Sequence, residues 1–294
     1  MKTIYLTFLA LLSFSVLADE KWQVLLDKDL SHWDTYISFK HQKHYDGSIP
    51  TDSRGNVIQP IGLNTGNAEL GIFTTMQQGK ELLLKVSGEY YGAVTTKQEY
   101  QNYHLKLMFR WGNRKWVPRL NKLKDSGILY HAIGEHGQEH FRSWMISQEF
   151  QIMQGHIGDY WNQVTTAIDV RAFLPEYIMN PIADETQPFL PVGNGENTKG
   201  FVLRKENHEL AHGKWNTLEL ITYNGKSLHI VNGHVVMILQ KSRNVINGSA
   251  TALNKGKIQL QSEAAEIFYK NILIKPITQL EDKYAVLFSK KQIQ

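Results

Sequence analysis

The 294-residue chain contains no cysteine. This absence excludes disulfide bonds, thiol nucleophiles and attachment of a lipid through a cysteine. A strong charge of one sign is also missing: the net charge is +4, and the basic residues are scattered along the chain. The scatter argues against nucleic acid as a partner. A hydrophobic content of 42% is ordinary for a globular protein with its own core.

Long apolar runs are absent after the first eighteen residues. Lys2 precedes the apolar stretch "IYLTFLALLSFSVL", and Ala18 ends it just before two acidic residues. A run this short, flanked in this way, is typical of a secretory signal peptide and not of a membrane span. The sequence therefore predicts a signal peptide at residues 1–18 and an exported bacterial protein, periplasmic or secreted, with no membrane span. It leaves the oligomeric state open.

Helical periodicity is scarce, whereas alternation of apolar and polar residues recurs along the chain. Asn224-Gly225 and Asn232-Gly233 are typical of the tight turns that join antiparallel strands. Many short strands favour an all-β fold, a β-sandwich of two antiparallel sheets. We predict one domain over residues 19–278, a C-terminal tail at 279–294 and a long ordered flap at 153–199.

The stretch "SQEFQIM" contains one carboxylate where a classical glycosidase strand would have two. In a strand, Glu149, Gln151 and Met153 share one face, and Phe150 shares the other with Ile152. Retaining glycosidases need two carboxyl groups roughly 5–5.5 Å apart. Because this strand supplies one, the pattern disfavours that mechanism. Glu149 either faces water or belongs to a site with different chemistry.

A second polar strand face is predicted near the C-terminus. Gln259, Gln261 and Glu263 alternate with Ile258 and Leu260. Two such strands in one sheet would line a groove with hydrogen-bonding groups, as binding of a sugar or glycoside requires. A polar sheet face without function explains this strand equally well.

Three aromatic residues and one lysine are further candidates. Trp144, Tyr160 and Trp161 have side chains that can stack on sugar rings, although core packing explains them equally well. Lys97 ends a predicted strand, where it either holds a substrate oxygen or caps the strand. The second role is favoured.

A histidine-rich stretch contains possible metal ligands. His131, His136 and His140 alternate with Glu135 and Glu139, which are ligand types that suit zinc. Their spacing matches no compact metal signature and favours a surface loop. A divalent metal ion stays possible as a cofactor, with no residue assigned to bind it.

Five stretches between about Trp22 and Pro276, in the same order as in the family, resemble the 3-keto-disaccharide hydrolase domain family. The resemblance implies a concanavalin A-like jelly-roll sandwich and exported bacterial proteins that act on oxidised sugars. The stretches are "YGAVTTKQEYQNYHLKLMFRW", "DSGILYH", "QEFQIMQGHIGDYW", "GKWNTLELITYNGKSLHIVNGHVV" and "GKIQLQSEAAEIFYKNILIKPI".

Matched motif by motif, the resemblance implies roles for five residues. Glu149 would be the catalytic base or acid, and Gln151 would position the substrate. Lys97 and His131, or an ion near His131, would stabilise an enolate. Glu263 would be a second acid–base group or a ligand. Many relatives have His-Gly where this chain has Glu263 and an alanine.

The implied chemistry explains the single carboxylate. A ketone at carbon 3 acidifies the hydrogen on carbon 2, so a glycoside can be cleaved by proton abstraction, loss of the leaving group and addition of water. This route needs one base and a stabiliser for the enolate. Two alternatives stay open: a non-catalytic carbohydrate-binding module of the same fold, and a classical glycoside hydrolase whose second carboxylate lies on another strand.

Overall fold

The computed structural model describes residues 21–41, 48, 50–139 and 142–289. The predicted signal peptide at 1–18 and His140 lie outside the described residues. The helices are α1, Asn67–Leu70, and α2, Asp282–Ser289. The strands, in chain order, are β1 Gln23–Val24, β2 Trp33–Ile37, β3 Gly62–Leu63, β4 Phe73–Gln78, β5 Glu81–Val86, β6 Gly92–Thr96, β7 Tyr100–Gln101, β8 Tyr103–Lys115, β9 Asp125–Ile133, β10 Ile146–Met153, β11 Tyr160–Gln163, β12 Thr166–Phe173, β13 Ile182–Ala183, β14 Phe189–Gly193, β15 Phe201–Val202, β16 Asn216–Tyr223, β17 Lys226–Val231, β18 His234–Ile246, β19 Ser249–Ala252, β20 Lys255–Ser262 and β21 Ala265–Pro276.

These strands form two antiparallel sheets, which confirms the predicted β-sandwich. The larger sheet has twelve strands, nine of them in the order β13-β12-β18-β17-β16-β8-β21-β5-β4. The nine-stranded sheet has the order β15-β11-β10-β9-β20-β6-β2-β3, with β7 beside β20. Each predicted Asn-Gly pair forms a two-residue turn in which both residues have positive φ. These turns join β16 to β17 and β17 to β18.

The core lies between the two sheets, and alternation decides which side chains enter it. Leu105, Leu107 and Phe109 of β8 are buried in the same apolar cluster as Phe150 and Ile152 of β10. Because successive side chains of a strand point to opposite faces, Glu149 and Gln151 point away from the core. We call this outer side of β11, β10, β9, β20 and β6 the site face.

Two segments outside the predicted strands have defined structure. Part of the predicted 153–199 flap is built into the sheets as β11, β12, β13 and β14. Helix α2, in the predicted tail, packs Leu287 against Ile221 and Ile238 of the larger sheet. No helix in the described part of the chain is long and apolar enough to cross a membrane.

Candidate functional site

Glu149 and Gln261 meet across β9 because the strand between them has a glycine. Gln151 lies directly opposite Gly127 in the ladder between β10 and β9. A Cβ atom on Gly127 would come within 2.4 Å of Oε1 of Glu149 and equally close to Oε1 of Gln261. The missing side chain therefore leaves room for a carboxyl group from β10 and an amide from β20 to converge on the site face.

Glu149 is a buried carboxyl group whose pKa lies far from its usual range. It is 2% exposed, and Gln163 Nε2 of β11 donates a hydrogen bond to its Oε2 atom. Burial, followed by the negative charge of Glu263, raises the pKa of Glu149 to about 8. The carboxyl group therefore holds a proton at neutral pH.

Gln261 is fully buried beside this carboxyl group. It approaches Glu149 closely enough to lower that pKa slightly. Among the described residues, neither amide atom of Gln261 completes a hydrogen bond of good geometry. A buried amide with unused capacity on both atoms is suited to a hydroxyl or carbonyl of a ligand.

A pair of acidic residues lies where β9 begins and β20 ends. Asp125 and Glu263 form a bridge between the two chain segments, and Arg119 binds both carboxyl groups. Its Nη2 atom donates to Glu263 Oε1 at 2.5 Å and also contacts Asp125 Oδ2. Burial raises the pKa of both carboxyl groups, whereas the Arg119 charge opposes this rise.

Sequence reasoning identified Glu263 but missed Asp125 and Arg119. Asp125 is the first residue of the "DSGILYH" stretch, two positions before Gly127. Alternation along the strand therefore places both residues on the same face, and this pattern could have identified Asp125. Arg119 lies in the connection between β8 and β9, where no periodicity indicates which way a side chain points.

Trp161 is the aromatic residue best placed to contact a ligand. It lies directly opposite Glu149 in the β10–β11 ladder. Its ring stacks on Phe201 of β15, with centroids 4.1 Å apart and planes at 20°. It remains 37% exposed. This pair forms an aromatic surface at the edge of the site face, on which a sugar ring can stack.

The other two predicted aromatic residues are buried in packing roles. Tyr160 points to the opposite face of β11, where its hydroxyl donates to Gln148 Oε1 at 2.5 Å. Trp144 packs against Tyr91 and Leu129, and its Nε1 atom donates to Gly92 O at 3.0 Å. Neither ring is open to a sugar in this structure, because alternation and loop packing bury both.

The structure places His131 and Lys97 away from the carboxyl groups. His131 has a φ of 52° at a point where the β9–β20 register shifts. The irregularity turns its ring between Tyr103 and Tyr130 of the core. Burial there lowers its pKa to about 4. Lys97 is exposed and donates to Ser31 O at 2.8 Å, as expected for a strand cap.

The histidine-rich stretch forms a loop against the site face. Glu139 is buried and accepts a hydrogen bond from the Trp144 backbone N–H at 3.0 Å. The ring of His136 stacks on Tyr36 at 4.4 Å, and its Nδ1 atom lies 3.3 Å from Gln259 Nε2. The described residues contain no group of three side chains arranged to hold a metal ion. The divalent ion that the sequence leaves possible has no assigned ligands among the described residues.

The family model of the 3-keto-alpha-glucoside-1,2-lyase-like domain matches residues 21–275. The chain belongs to this family. The match includes every residue of the site face and confirms the resemblance noted in the sequence. It also establishes a carbohydrate-related function. No curated protein is significantly similar to the chain.

Several solved structures are similar to the chain at low identity. A candidate glycosyl hydrolase from Parabacteroides distasonis is 16% identical, with a TM-score of 0.46 over 87% of this chain and 100% of its own. Domain 4 of the Geobacillus stearothermophilus arabinanase AbnA, solved with arabinotriose, is 12% identical, with a TM-score of 0.38 over 87% and 98%. A carbohydrate-binding module from Bacillus subtilis is 6% identical, with a TM-score of 0.37 over 69% and 91%.

Proposed function

We propose that the protein is an enzyme that cleaves 3-keto-glycosides by elimination followed by hydration. The observation that supports this most directly is the convergence of two buried groups, the Glu149 carboxyl and the Gln261 amide, over Gly127. A proton donor next to hydrogen-bonding groups suits a reaction in which an enolate forms and then collapses as an alkoxide leaves. Membership of the family is consistent with this chemistry.

Glu149 donates its proton to the glycosidic oxygen as the bond to carbon 1 breaks. In the hydration half of the cycle the resulting carboxylate takes a proton from the attacking water, which restores the starting state. A raised pKa is what a general acid requires at neutral pH. The same raised pKa means that Glu149 is not the group that removes the first proton.

Gln261 stabilises the enolate, and Trp161 holds the sugar ring. The Gln261 amide can donate to the oxygen at carbon 3, where negative charge develops during elimination. Trp161 lies opposite Glu149, so a ring stacked on it sits beside the proton donor. Gln163 orients the Glu149 carboxyl group through its hydrogen bond. We leave Lys97 and His131 out of this set because neither lies beside Glu149.

The test compares a 3-keto-glucoside with its unoxidised parent for wild type and Glu149→Gln. We expect cleavage of the keto substrate alone and a loss of at least about 100-fold in kcat for the variant. Glu219→Gln is the matched control. It removes a carboxylate of the larger sheet that pairs with His104, and we expect wild-type turnover. A parallel assay with chelator tests for a divalent ion.

Other outcomes would favour the alternative functions. Cleavage of the unoxidised parent at a similar rate would indicate a classical glycoside hydrolase, with Glu263 or Asp125 as the second carboxylate. Absence of turnover, with saturable sugar binding intact in both proteins, would indicate a carbohydrate-binding module that uses the Trp161–Phe201 surface.

A further inference from the structure

Elimination requires a base for the carbon 2 proton, and Glu263 is the one carboxyl group predicted from the sequence that is left for this role. Glu149 is protonated, and both His131 and Lys97 lie elsewhere. Asp125 and Glu263 are carboxyl groups on the same face as Glu149. We propose that Asp125 and Glu263 act as one proton-sharing pair, fixed by Arg119, that removes the carbon 2 proton. This inference rests on the proposed function.

The first argument is the placement of the pair. Asp125 has the same parity on β9 as Gly127, and Glu263 continues the alternation of Gln259 and Gln261 on β20. Both side chains therefore extend the site face beyond the gap at Gly127. The bridge between the two residues brings their carboxyl groups within hydrogen-bonding reach of each other.

The second argument is charge balance. Asp125 and Glu263 are 2% and 4% exposed, so two full negative charges there would be costly to desolvate. Arg119 contacts both carboxyl groups and offsets one charge. One proton shared between the two carboxyl groups offsets the other, so the cluster is neutral as a whole. The pair then resembles the carboxyl dyads in which two groups share a single proton.

The third argument concerns the groups that surround the pair. Besides Arg119, the titratable groups that act on it are Glu149 and Tyr91. Burial raises the pKa of Tyr91, so its hydroxyl stays neutral. Protonated Glu149 adds no charge. The one ionised carboxyl group of the pair is therefore the basic group of the site at neutral pH.

The proposed step is balanced in atoms and electrons. The pair takes the proton from carbon 2, and the electrons of that C–H bond form the double bond between carbons 2 and 3 of an enolate, whose oxygen on carbon 3 carries the negative charge. When the enolate returns to the ketone, the double bond between carbons 1 and 2 forms. The bond from carbon 1 to the leaving oxygen breaks, and Glu149 supplies the proton that this oxygen acquires. In hydration, water adds to carbon 1 and gives its proton to Glu149, while the pair returns a proton to carbon 2.

The experiment separates proton abstraction from bond cleavage. A 3-keto-glucoside is incubated in D2O, and deuterium at carbon 2 of the recovered sugar is followed by NMR. We expect Glu149→Gln to lose cleavage but to keep exchange at carbon 2. We expect Asp125→Asn and Glu263→Gln to lose at least about 100-fold in exchange. Asp169→Asn is the control, since Asp169 is also buried and bound by an arginine, Arg243, but lies on β12.

The outcomes distinguish this inference from the proposed function. If wild type cleaves the keto substrate while both pair variants exchange at the wild-type rate, the pair is not the base and the proposed function stands. If wild type neither cleaves nor exchanges, the proposed function itself fails.

The pH profile of wild-type exchange tests the pair even if the variants do not fold. Exchange should fall about tenfold per pH unit below the point at which the pair takes up its second proton. An exchange rate that does not fall as the pH is lowered across the whole range in which the protein stays folded would overturn the inference.

Discussion

At the scale of single residues, the site depends on a side chain that is missing. Gly127 lies between Glu149 and Gln261, and its Cβ position is 2.4 Å from an oxygen of each. Both oxygens are at the ends of flexible side chains, so they can move away without disturbing the backbone. An alanine at this position would therefore separate the two groups at little cost in stability.

We predict that Gly127→Ala lowers kcat on a 3-keto-glucoside at least about tenfold and changes the free energy of unfolding by less than about 2 kcal/mol. Gly112→Ala is the matched control. Its Cβ would lie 2.2 Å from the Glu266 carboxylate on the larger sheet, so a similar clash arises away from the site. Steady-state kinetics and urea unfolding of both variants check this. Equal activity in the two would contradict the role given to Gly127.

The residues differ in how well the sequence predicted their placement. Alternation placed Glu149 and Gln261 on one face, because a period of two holds wherever a strand is regular. The same reasoning is misleading for His131, where a positive φ turns the side chain into the core. Arg119 has no pattern of its own, because a loop residue is positioned by tertiary contacts alone.

At the scale of elements, many of the strands followed from the sequence, whereas β11 to β14 and helix α2 did not. The eight residues of α2 lie in the segment predicted as a tail. The helix covers Ile221, Leu228 and Ile238 on the outer side of the larger sheet. Arg171 Nε also donates to Leu287 O at 2.8 Å. A short helix of this kind is held by packing, which local sequence does not reveal.

We predict that Leu287→Ala lowers the free energy of unfolding by about 2 kcal/mol, near the lower end of the range for buried leucines because the cluster is peripheral. Activity on a 3-keto-glucoside should not change, since the helix lies on the opposite side of the sandwich from Glu149. Val286→Ala is the control, because Val286 lies on the same helix but is exposed. A parallel loss of kcat in Leu287→Ala would show that α2 supports the site.

At the scale of the whole molecule, buried histidines reduce the stability of the fold at low pH, and a buried carboxyl group reduces it at high pH. Burial lowers the pKa of His229 to about 3 and that of His131 to about 4. Burial also raises the pKa of Glu149 to about 8. Unfolding restores ordinary values near 6.5 for histidine and 4.5 for glutamate. Stability therefore depends on pH wherever the folded and unfolded states bind different numbers of protons.

The signs for these three groups predict that their combined contribution to stability is largest near pH 6.5. As pH falls from 6.5 towards 3, unfolded His229 and His131 bind protons that the folded protein excludes, so stability is lost. As pH rises from 4.5 to 8, folded Glu149 keeps a proton that the unfolded chain releases, so stability is lost in that direction too. Between 4.5 and 6.5 the two histidines outweigh the single carboxyl group. Above 6.5 the histidine contribution fades, and the carboxyl group dominates among these three.

The measurement is the free energy of unfolding by urea from pH 4 to pH 9, for wild type and Glu149→Gln. The variant keeps an acceptor for Gln163 but has no proton to lose. We expect it to be more stable than wild type at pH 9 by a few kcal/mol, at about 1.4 kcal/mol per unit of pKa shift, with the difference shrinking towards pH 5. A constant difference across this range would mean that Glu149 is ionised in the folded protein at neutral pH, and its role as proton donor would fail with it.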